Sequence, residues 1–421
     1  MQKIMNMLLE SKSRARLLLL ALVAGVAGCG EVPAPHFRLN MQGRDPNDFK
    51  ITGSESKQDR ESKQAKIKGQ QDIVNALYAM FGTPDEPFVF EESGLDINKI
   101  RLAAGRTGGN QDGTQRGLFR QHCVHCHGIS GDGAGPTAAF LVPYPRDYRR
   151  GIFKYKATQR GDPPSAADLA KLLREGIPGT AMPSFTLLPA DEIDALVEYV
   201  RYLSLRGEVE TGMAIQVYDA EEPLEMTRSA LVDAFLATPA EMWAKAEKSL
   251  IKPPAHPSVD TPEKLQASIA AGRVLFLGGK AQCTKCHGPN ALGDGSDVAL
   301  FDDWNKDKKV AETEKQIHDP KTEADTRKRL QRTLASWLLP EQEIKPRNLR
   351  LGVYHGGRSP ADIYRRIHAG INGTPMPATG ANPATLKPEE IWHIVDYVRS
   401  LPYEAMSLPQ VGETTVNKPQ L

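Results

Sequence analysis

The sequence has no excess of charge of either sign, because 53 lysines and arginines are opposed by 52 aspartates and glutamates in 421 residues. Net charge therefore implies no nucleic acid and no acidic substrate as a partner. Aromatic residues are few, at 6%, whereas 36 glycines and 31 prolines indicate many turns and long irregular segments. Cysteine is also scarce, and the positions of the five cysteines carry most of the functional information.

The N-terminus lacks an apolar run long enough to span a bilayer comfortably. Residues 17–28 are a run of twelve apolar or small residues behind a basic region, which is typical of a signal peptide, so residues 1–28 are predicted to be an export signal. Val26-Ala27-Gly28-Cys29 resembles the lipobox of bacterial lipoproteins, in which Cys29 would be acylated and become the first mature residue. The alternative is an uncleaved N-terminal helix with an incidental cysteine.

Export would place the rest of the chain on the periplasmic side of a bacterial membrane, with the lipid as its anchor. Gly30 rather than aspartate follows the cysteine, which by analogy with lipoproteins favours the outer membrane. Residues 29–68 are polar and strongly charged, so they are predicted to be a disordered, lipid-anchored tether that acts either as a leash or as a spacer. Residues 69–94 are predicted to hold a short apolar helix, over 71–81, and a linker.

An internal repeat dominates the rest of the chain. Each unit has Cys-x-x-Cys-His-Gly, then Pro-Arg-Asp or Pro-Arg-Asn, then Gly-Thr-x-Met-Pro, and ends with an amphipathic helix. These features begin at Cys123, Pro145, Gly179 and Ile193 in the first unit, and at Cys283, Pro346, Gly373 and Ile391 in the second. The repeat predicts two domains, residues 95–207 and 261–405.

The remaining segments follow from this division. Residues 208–260 are predicted to be a linker with a helix near 226–250, and residues 406–421 a tail. Residues 300–342 are a charged insertion in the second domain, predicted to be an exposed helix. In the segment before the first motif, glycines interrupt the helical pattern, so the first helix of domain one is expected to be short. The corresponding helix of domain two, which Thr261 and Pro262 begin, is expected to be longer.

Each Cys-x-x-Cys-His stretch predicts covalent attachment of a haem c. The two thiols form thioether bonds to the haem, and the following histidine becomes the fifth ligand of the iron. Two haem c groups are thus assigned, one to Cys123, Cys126 and His127 and one to Cys283, Cys286 and His287. A zinc ribbon would need a second cysteine pair in the same unit, and a thioredoxin-like pair would be expected near a βαβ pattern. Neither is present, and if Cys29 carries lipid no thiol is left for a disulfide.

The sixth ligands are predicted from the repeat. A lone methionine is more often core filler, but Met182 and Met376 occupy equivalent places in Gly-Thr-x-Met-Pro. The proline after each methionine favours an extended, stiff loop. His355 and His368 are alternative candidates for the sixth ligand, but they have no counterparts in the first unit. His122 and His125 lie next to and within the first Cys-x-x-Cys-His motif, and both are predicted to lie at the surface.

Each unit therefore resembles a class I cytochrome c domain. The resemblance implies an all-α fold of two tandem domains, each a small helical bundle around a covalent haem, and it implies electron transfer as the activity. The departures from the family pattern are the glycine-broken first helix of unit one and the long insertion of unit two.

Coordination by histidine and methionine leaves no open position on the iron. It also raises the reduction potential of the iron above that of an iron ligated by two histidines. We therefore expect an electron carrier rather than an enzyme, with no catalytic residue and no small-molecule substrate at the iron. The expected partners are redox proteins of a respiratory chain: a quinol-oxidising complex or dehydrogenase as donor, and a terminal oxidase or reductase as acceptor. The alternatives are a cytochrome subunit of a respiratory complex and, in a different class, a dihaem peroxidase, in which one haem must open for peroxide.

Overall fold

The computed structural model of the protein describes residues 35–297, 308–340, 342–380 and 385–407. The predicted signal peptide and Cys29 lie outside the described residues, as do most of the predicted tail and part of the predicted insertion. In the described ranges the regular structure is helical without β-strands, apart from isolated bridges that join Gly82 to Pro87 and Thr158 to Leu250. The prediction of an all-α fold is confirmed.

The first helix, α1 (Lys57–Phe81), is longer than predicted. It starts at Ser56, whose hydroxyl accepts a hydrogen bond from the amide of Asp59. The expected disorder of residues 29–68 therefore does not extend over 57–68. Those residues include four lysines and two glutamines, which are good helix formers, and ion pairs hold them to the preceding segment, such as Lys63 to Glu55 at 3.1 Å. The prediction of disorder rested on the small number of apolar residues, so it took neither the helix propensity nor the ion pairs into account.

Domain one packs against one face of the C-terminal half of α1. Its helices are α2 (Ile97–Ala103), α3 (Leu118–His122), α4 (Val124–His127), α5 (Ala166–Glu175) and α6 (Ala190–Ala214). The predicted apolar face of α6 is buried, with Ile193, Leu196 and Leu203 each at 1% exposure. The apolar half of α1 packs into the same core, through residues that include Ile73 and Leu77.

The segment between the two repeats belongs to the core of domain one. A π-helical stretch (Ile215–Asp219) extends α6, and α7 (Arg228–Leu231), a second π-helical stretch (Val232–Leu236) and α8 (Ala237–Ala246) follow in one continuous run. This run lies within the helix predicted near 226–250. Its buried residues Leu231, Leu236 and Trp243 pack with those of α6. Residues 208–246 therefore do more than connect the domains, because they complete the first hydrophobic core.

Domain two has its own core. Its helices, insertion included, are α9 (Pro262–Leu277), α10 (Cys283–His287), α11 (Lys308–His318), α12 (Ala324–Ala335), α13 (Pro360–Ala369), α14 (Pro388–Ser400) and α15 (Glu404–Ser407). Helix α9 has 16 residues and α2 has 7, as expected from the glycines of unit one. Helix α9 packs on α14 at Gly272, where a Cβ atom would lie 1.9 Å from the carbonyl oxygen of His393. Only a residue without a side chain allows this approach.

Single-turn 3₁₀ helices mark the loops of the structure, at Pro46–Phe49, Glu91–Ser93, Ala138–Phe140, Tyr148–Arg150 and Leu349–Leu351. Among the described helices, none is both long enough and apolar enough to cross a lipid bilayer.

The insertion of domain two folds back onto domain one and the N-terminal segment. Arg332 on α12 forms an ion pair of 2.7 Å with Asp45, whose side chain is 3% exposed. Just after α12, Leu339 packs against the fully buried Ala138, in the loop that follows the first Cys-x-x-Cys-His motif. The charged insertion is therefore not simply a solvated helix, since one of its faces is a contact surface.

Candidate functional site

The first Cys-x-x-Cys-His motif lies where α3 ends and α4 begins. Cys123 is 6% exposed at this junction, Cys126 is partly exposed one turn later, and neither forms a disulfide. Burial raises the pKa of Cys123 to about 12, so this group is a neutral thiol near pH 7. Within the described ranges, no three His, Cys, Asp or Glu side chains come together in a way that could hold a metal ion.

The histidine of the first motif is buried and oriented by its backbone partner. Nδ1 of His127 lies 3.0 Å from the carbonyl oxygen of Arg146. Burial lowers the pKa of His127 to about 4, so the ring is neutral near pH 7. A neutral ring next to a carbonyl oxygen carries its proton on Nδ1, which leaves the Nε2 lone pair for a metal. The ring of Tyr148 stacks on this imidazole at 4.6 Å between centroids.

The carbonyl of Arg146 is held in place by the residues that follow it. The Asp147 carboxylate accepts from the backbone amide of Arg149 at 3.0 Å, and from the guanidinium of the same residue at 3.0 and 2.8 Å. Arg149 is 1% exposed, so its ion pair with Asp147 is fully desolvated. The amide of Tyr148 donates to the carbonyl of Gly131 at 2.8 Å, which ties this turn to the loop after the motif.

The second motif repeats this arrangement with weaker contacts. It forms α10, and Nδ1 of His287 lies 3.4 Å from the carbonyl oxygen of Arg347. Burial lowers the pKa of His287. Asn348 replaces the aspartate, and its side chain accepts from the amide of Arg350 at 3.0 Å. The turn therefore has the same geometry without the buried charge pair.

The two methionine loops are built alike. In domain one, the Thr180 hydroxyl accepts from the amide of Met182 at 3.1 Å and donates to the carbonyl of Ile177 at 2.8 Å. In domain two, the Thr374 hydroxyl makes the same bonds, at 3.2 Å to the amide of Met376 and 2.9 Å to the carbonyl of Ile371. These bonds fix the backbone next to each methionine, and Met182 packs against the core that contains Cys123.

The competing histidines each lie against a tyrosine, and Nε2 of His355 and Nδ1 of His368 are buried without a hydrogen-bond partner in the described part of the chain. Nδ1 of His355 lies 2.9 Å from the hydroxyl of Tyr155, and burial together with the charges of Arg347 and Lys154 lowers the pKa of His355 to about 4. The ring of His368 stacks on Tyr364. Of the two histidines around the first motif, His122 is not simply at the surface: its ring is half-buried and lies against Phe185.

The residues of each domain fit a covalently attached haem. A pair of free thiols precedes a neutral histidine whose Nδ1 is already engaged, and a threonine-braced loop carries a methionine. Thiols, imidazole and thioether are the groups that attach and ligate haem c. Sequence reasoning chose these side chains but missed the two carbonyls, the Asp147–Arg149 pair and the threonines. The repeated Pro-Arg and Gly-Thr dipeptides marked these places in the sequence. They did not show that the arginine carbonyls and the threonine hydroxyls make the supporting hydrogen bonds.

The buried ion pair behind His127 provides a stability prediction. Asp147→Asn keeps the acceptor for the Arg149 amide but leaves a buried guanidinium without its main counter-charge. Unpairing a buried charge costs roughly 3–5 kcal/mol. Glu210 and Asp132 also act on Arg149, so we expect the free energy of unfolding to fall by about 2–3 kcal/mol in urea denaturation.

The control is Asn348→Asp, the reverse change at the equivalent place in domain two, beside the partly exposed Arg350. It should alter the free energy of unfolding by no more than about 0.5 kcal/mol, as is usual for a surface change. Equal effects of the two variants would contradict the role given to the buried pair.

Comparison with known proteins places the chain in a family. The cytochrome c family model matches residues 116–204 and 269–402, which is more than half of the chain. Among solved structures, the chain is similar to one chain of the reducing HAO-like protein complex of Kuenenia stuttgartiensis, with 23% sequence identity and a TM-score of 0.45. That match covers 68% of this chain and 94% of the other. No curated protein matches the sequence.

The two matched segments contain both Cys-x-x-Cys-His motifs and both methionine loops. Each segment is a helical domain with its own hydrophobic core. The chain belongs to the cytochrome c family, whose domains bind haem c covalently and transfer electrons.

Proposed function

We propose that the protein is an electron carrier with two covalently bound haems, each ligated by one histidine and one methionine. The observation that supports this most directly is the duplicated site: each domain combines a carbonyl-anchored histidine, buried in domain one and partly exposed in domain two, with a threonine-braced methionine loop. When bound, haem supplies a one-electron couple between ferrous and ferric iron.

The roles of the side chains follow from their chemistry. Cys123 and Cys126 attach one haem, and Cys283 and Cys286 attach the other. His127 and His287 are the fifth ligands, while Met182 and Met376 are the sixth ligands. If a histidine and a methionine both ligate each iron, these side chains would keep water and small substrates from the metal, and little rearrangement would accompany the change of charge. This arrangement suits a carrier better than an enzyme.

We propose further that the protein is exported and anchored by a lipid on Cys29. The periplasmic side of a bacterial membrane, with the outer membrane favoured, is then its location. Its partners are a quinol-oxidising complex or dehydrogenase and a terminal oxidase or reductase. A stable place in a respiratory complex is the alternative with the same chemistry, and copurification from detergent-solubilised membranes separates the two.

The number of haems is tested by mass. Intact mass after denaturation and acid–acetone extraction should correspond to the chain plus two haems, because thioether bonds survive extraction. Changing Cys283 and Cys286 together to alanine should remove one haem and leave the other. Haem that extracts freely from the wild-type protein would contradict covalent attachment.

The lipid anchor is tested at Cys29. Cys29→Ser should prevent acylation and alter signal processing, so the protein should move from the membrane to the soluble fraction. Stable anchoring needs more than one acyl chain, and mass spectrometry of the mature N-terminus measures how many are present. A Cys29→Ser protein that still carried lipid at its N-terminus would contradict the assignment.

The ligand assignment separates carrier from peroxidase. The oxidised wild type should be low-spin at both haems, show a sulfur-to-iron charge-transfer band and neither bind cyanide readily nor reduce peroxide at an enzymatic rate. Met376→Ala should open one haem to cyanide and lower its potential, since loss of the thioether disfavours the ferrous form. Met182→Ala should do the same at the other haem, largely independently. Rapid peroxide turnover by a half-reduced wild type with one high-spin haem would favour the peroxidase alternative.

A further inference from the structure

The two domains contact each other through equivalent faces. Lys171 on α5 of domain one donates to both carboxylate oxygens of Asp362 on α13 of domain two, at 2.8 Å each. Asp362 is the third residue of α13 and closes its capping box, which is the place that Asp168 has in α5. Each of these helices leads directly into its methionine loop. The contact therefore joins the two helices that precede the methionine loops.

Further contacts make this boundary specific. Arg366 on α13 donates to the carbonyl of Lys156 at 2.7 Å, and Lys156 itself is 4% exposed. The hydroxyl of Tyr155 bonds His355 across the same boundary. These hydrogen bonds between partly buried groups favour the docked arrangement, while Nε of Arg366 and Nε2 of His355 are buried there without a hydrogen-bond partner among the described residues.

In addition, one arginine of each domain contacts the methionine loop of the other domain. In one direction, Nη1 of Arg160 donates to the carbonyl oxygen of Met376 at 2.9 Å, across 216 residues of sequence. In the other, the Arg347 guanidinium lies so close to Gly179 that a Cβ atom there would be 2.4 Å from Nη2. Gly179 has a φ of +79°, which also favours glycine.

The contact with Met376 involves the residue proposed as an iron ligand. Its carbonyl has a partner inside domain two, the amide of Ile371, but that bond is long, at 3.3 Å. In domain one the matching bond, from the amide of Ile177 to the carbonyl of Met182, is 3.1 Å. Arg160 therefore adds a charged donor where the bond inside the loop is the weaker of the two.

We propose that Arg160 of domain one is a positioning residue for Met376, so that methionine ligation in domain two depends on the docking of domain one. This rests on the proposed function, in which Met376 is the sixth ligand of the second haem. Arg160 holds the backbone of the loop and does not itself contact the metal site. Arg160 acts on the second haem alone, because its hydrogen bond goes to the carbonyl of Met376, whereas the carbonyl of Met182 accepts from the amide of Ile177 in its own domain.

The effect should be moderate in size. Arg160 is exposed and water competes for its carbonyl partner, so the net contribution is that of an ordinary hydrogen bond, which corresponds to a change of about three- to tenfold in an equilibrium constant. Cyanide measures this equilibrium directly, because it binds ferric haem only after the methionine has left.

The experiment compares Arg160→Gln with wild type in the full-length protein with both haems. Cyanide should bind the ferric haem of domain two about three- to tenfold more tightly in the variant, with a smaller charge-transfer band for that haem. The haem of domain one should be unchanged. The spectra of Met376→Ala and Met182→Ala assign each signal to its domain.

Two further variants separate positioning from loss of charge. Arg101→Gln removes an exposed arginine from α2 of the same domain and should leave both cyanide constants unchanged. Lys171→Gln breaks the ion pair with Asp362 without touching the loop, and should shift the constant of domain two in the same direction as Arg160→Gln. Circular dichroism and covalent haem content show that each variant is folded and loaded.

The outcomes are distinct. If Met376→Ala opens the second haem but Arg160→Gln binds cyanide as wild type does, the positioning role is wrong and the ligand assignment stands. Equal changes at both haems, or the same change in Arg101→Gln, would also overturn the proposal. If Met376→Ala leaves the second haem closed to cyanide, the ligand assignment itself fails.

Discussion

A neutral imidazole held through Nδ1 by a backbone carbonyl is the interaction on which both domains are organised. The bond of His127 to Arg146 and the bond of His287 to Arg347 each orient a ring that burial keeps uncharged. Such a carbonyl reaches the histidine only if the chain folds back to the motif after a loop. The turns capped by Asp147 and Asn348 follow directly after the carbonyl and fix its position. The insertion of domain two lies between motif and turn, where extra length is tolerated because both ends of the loop stay anchored.

The two domains share one plan but differ in their surroundings. Domain one is enclosed by α1, by the helices between the repeats and by the insertion of its neighbour, and its supporting turn contains a desolvated ion pair. Domain two has a smaller core and a turn without that pair. A more enclosed site favours the less charged state of whatever it holds, so two similar ligand sets need not give two equal potentials. At the boundary, the bond from Arg160 to the carbonyl of Met376 adds a dependence of the second methionine loop on domain one.

The sequence was sufficient for the fold class and for the choice of site side chains, since a repeated Cys-x-x-Cys-His and a repeated Gly-Thr-x-Met-Pro restrict the chemistry severely. It was not sufficient for residues 57–68, which fold as helix because propensity, a serine cap and ion pairs outweigh their low apolar content. It did not place residues 228–246 in the core of domain one, because that packing is tertiary. The acceptor carbonyls of Arg146 and Arg347 carry no side-chain signature, so no motif could have identified them.

The central claim is that each iron has one sulfur ligand from this chain. X-ray absorption at the iron K-edge of the oxidised protein tests it most directly, because the scattering shell counts sulfur neighbours per iron averaged over both sites. Five nitrogen neighbours and one sulfur per iron are predicted, four of the nitrogens from the macrocycle and one from histidine. A sulfur occupancy of half would mean that only one of Met182 and Met376 is a ligand, and no sulfur in the shell would contradict methionine ligation at both haems.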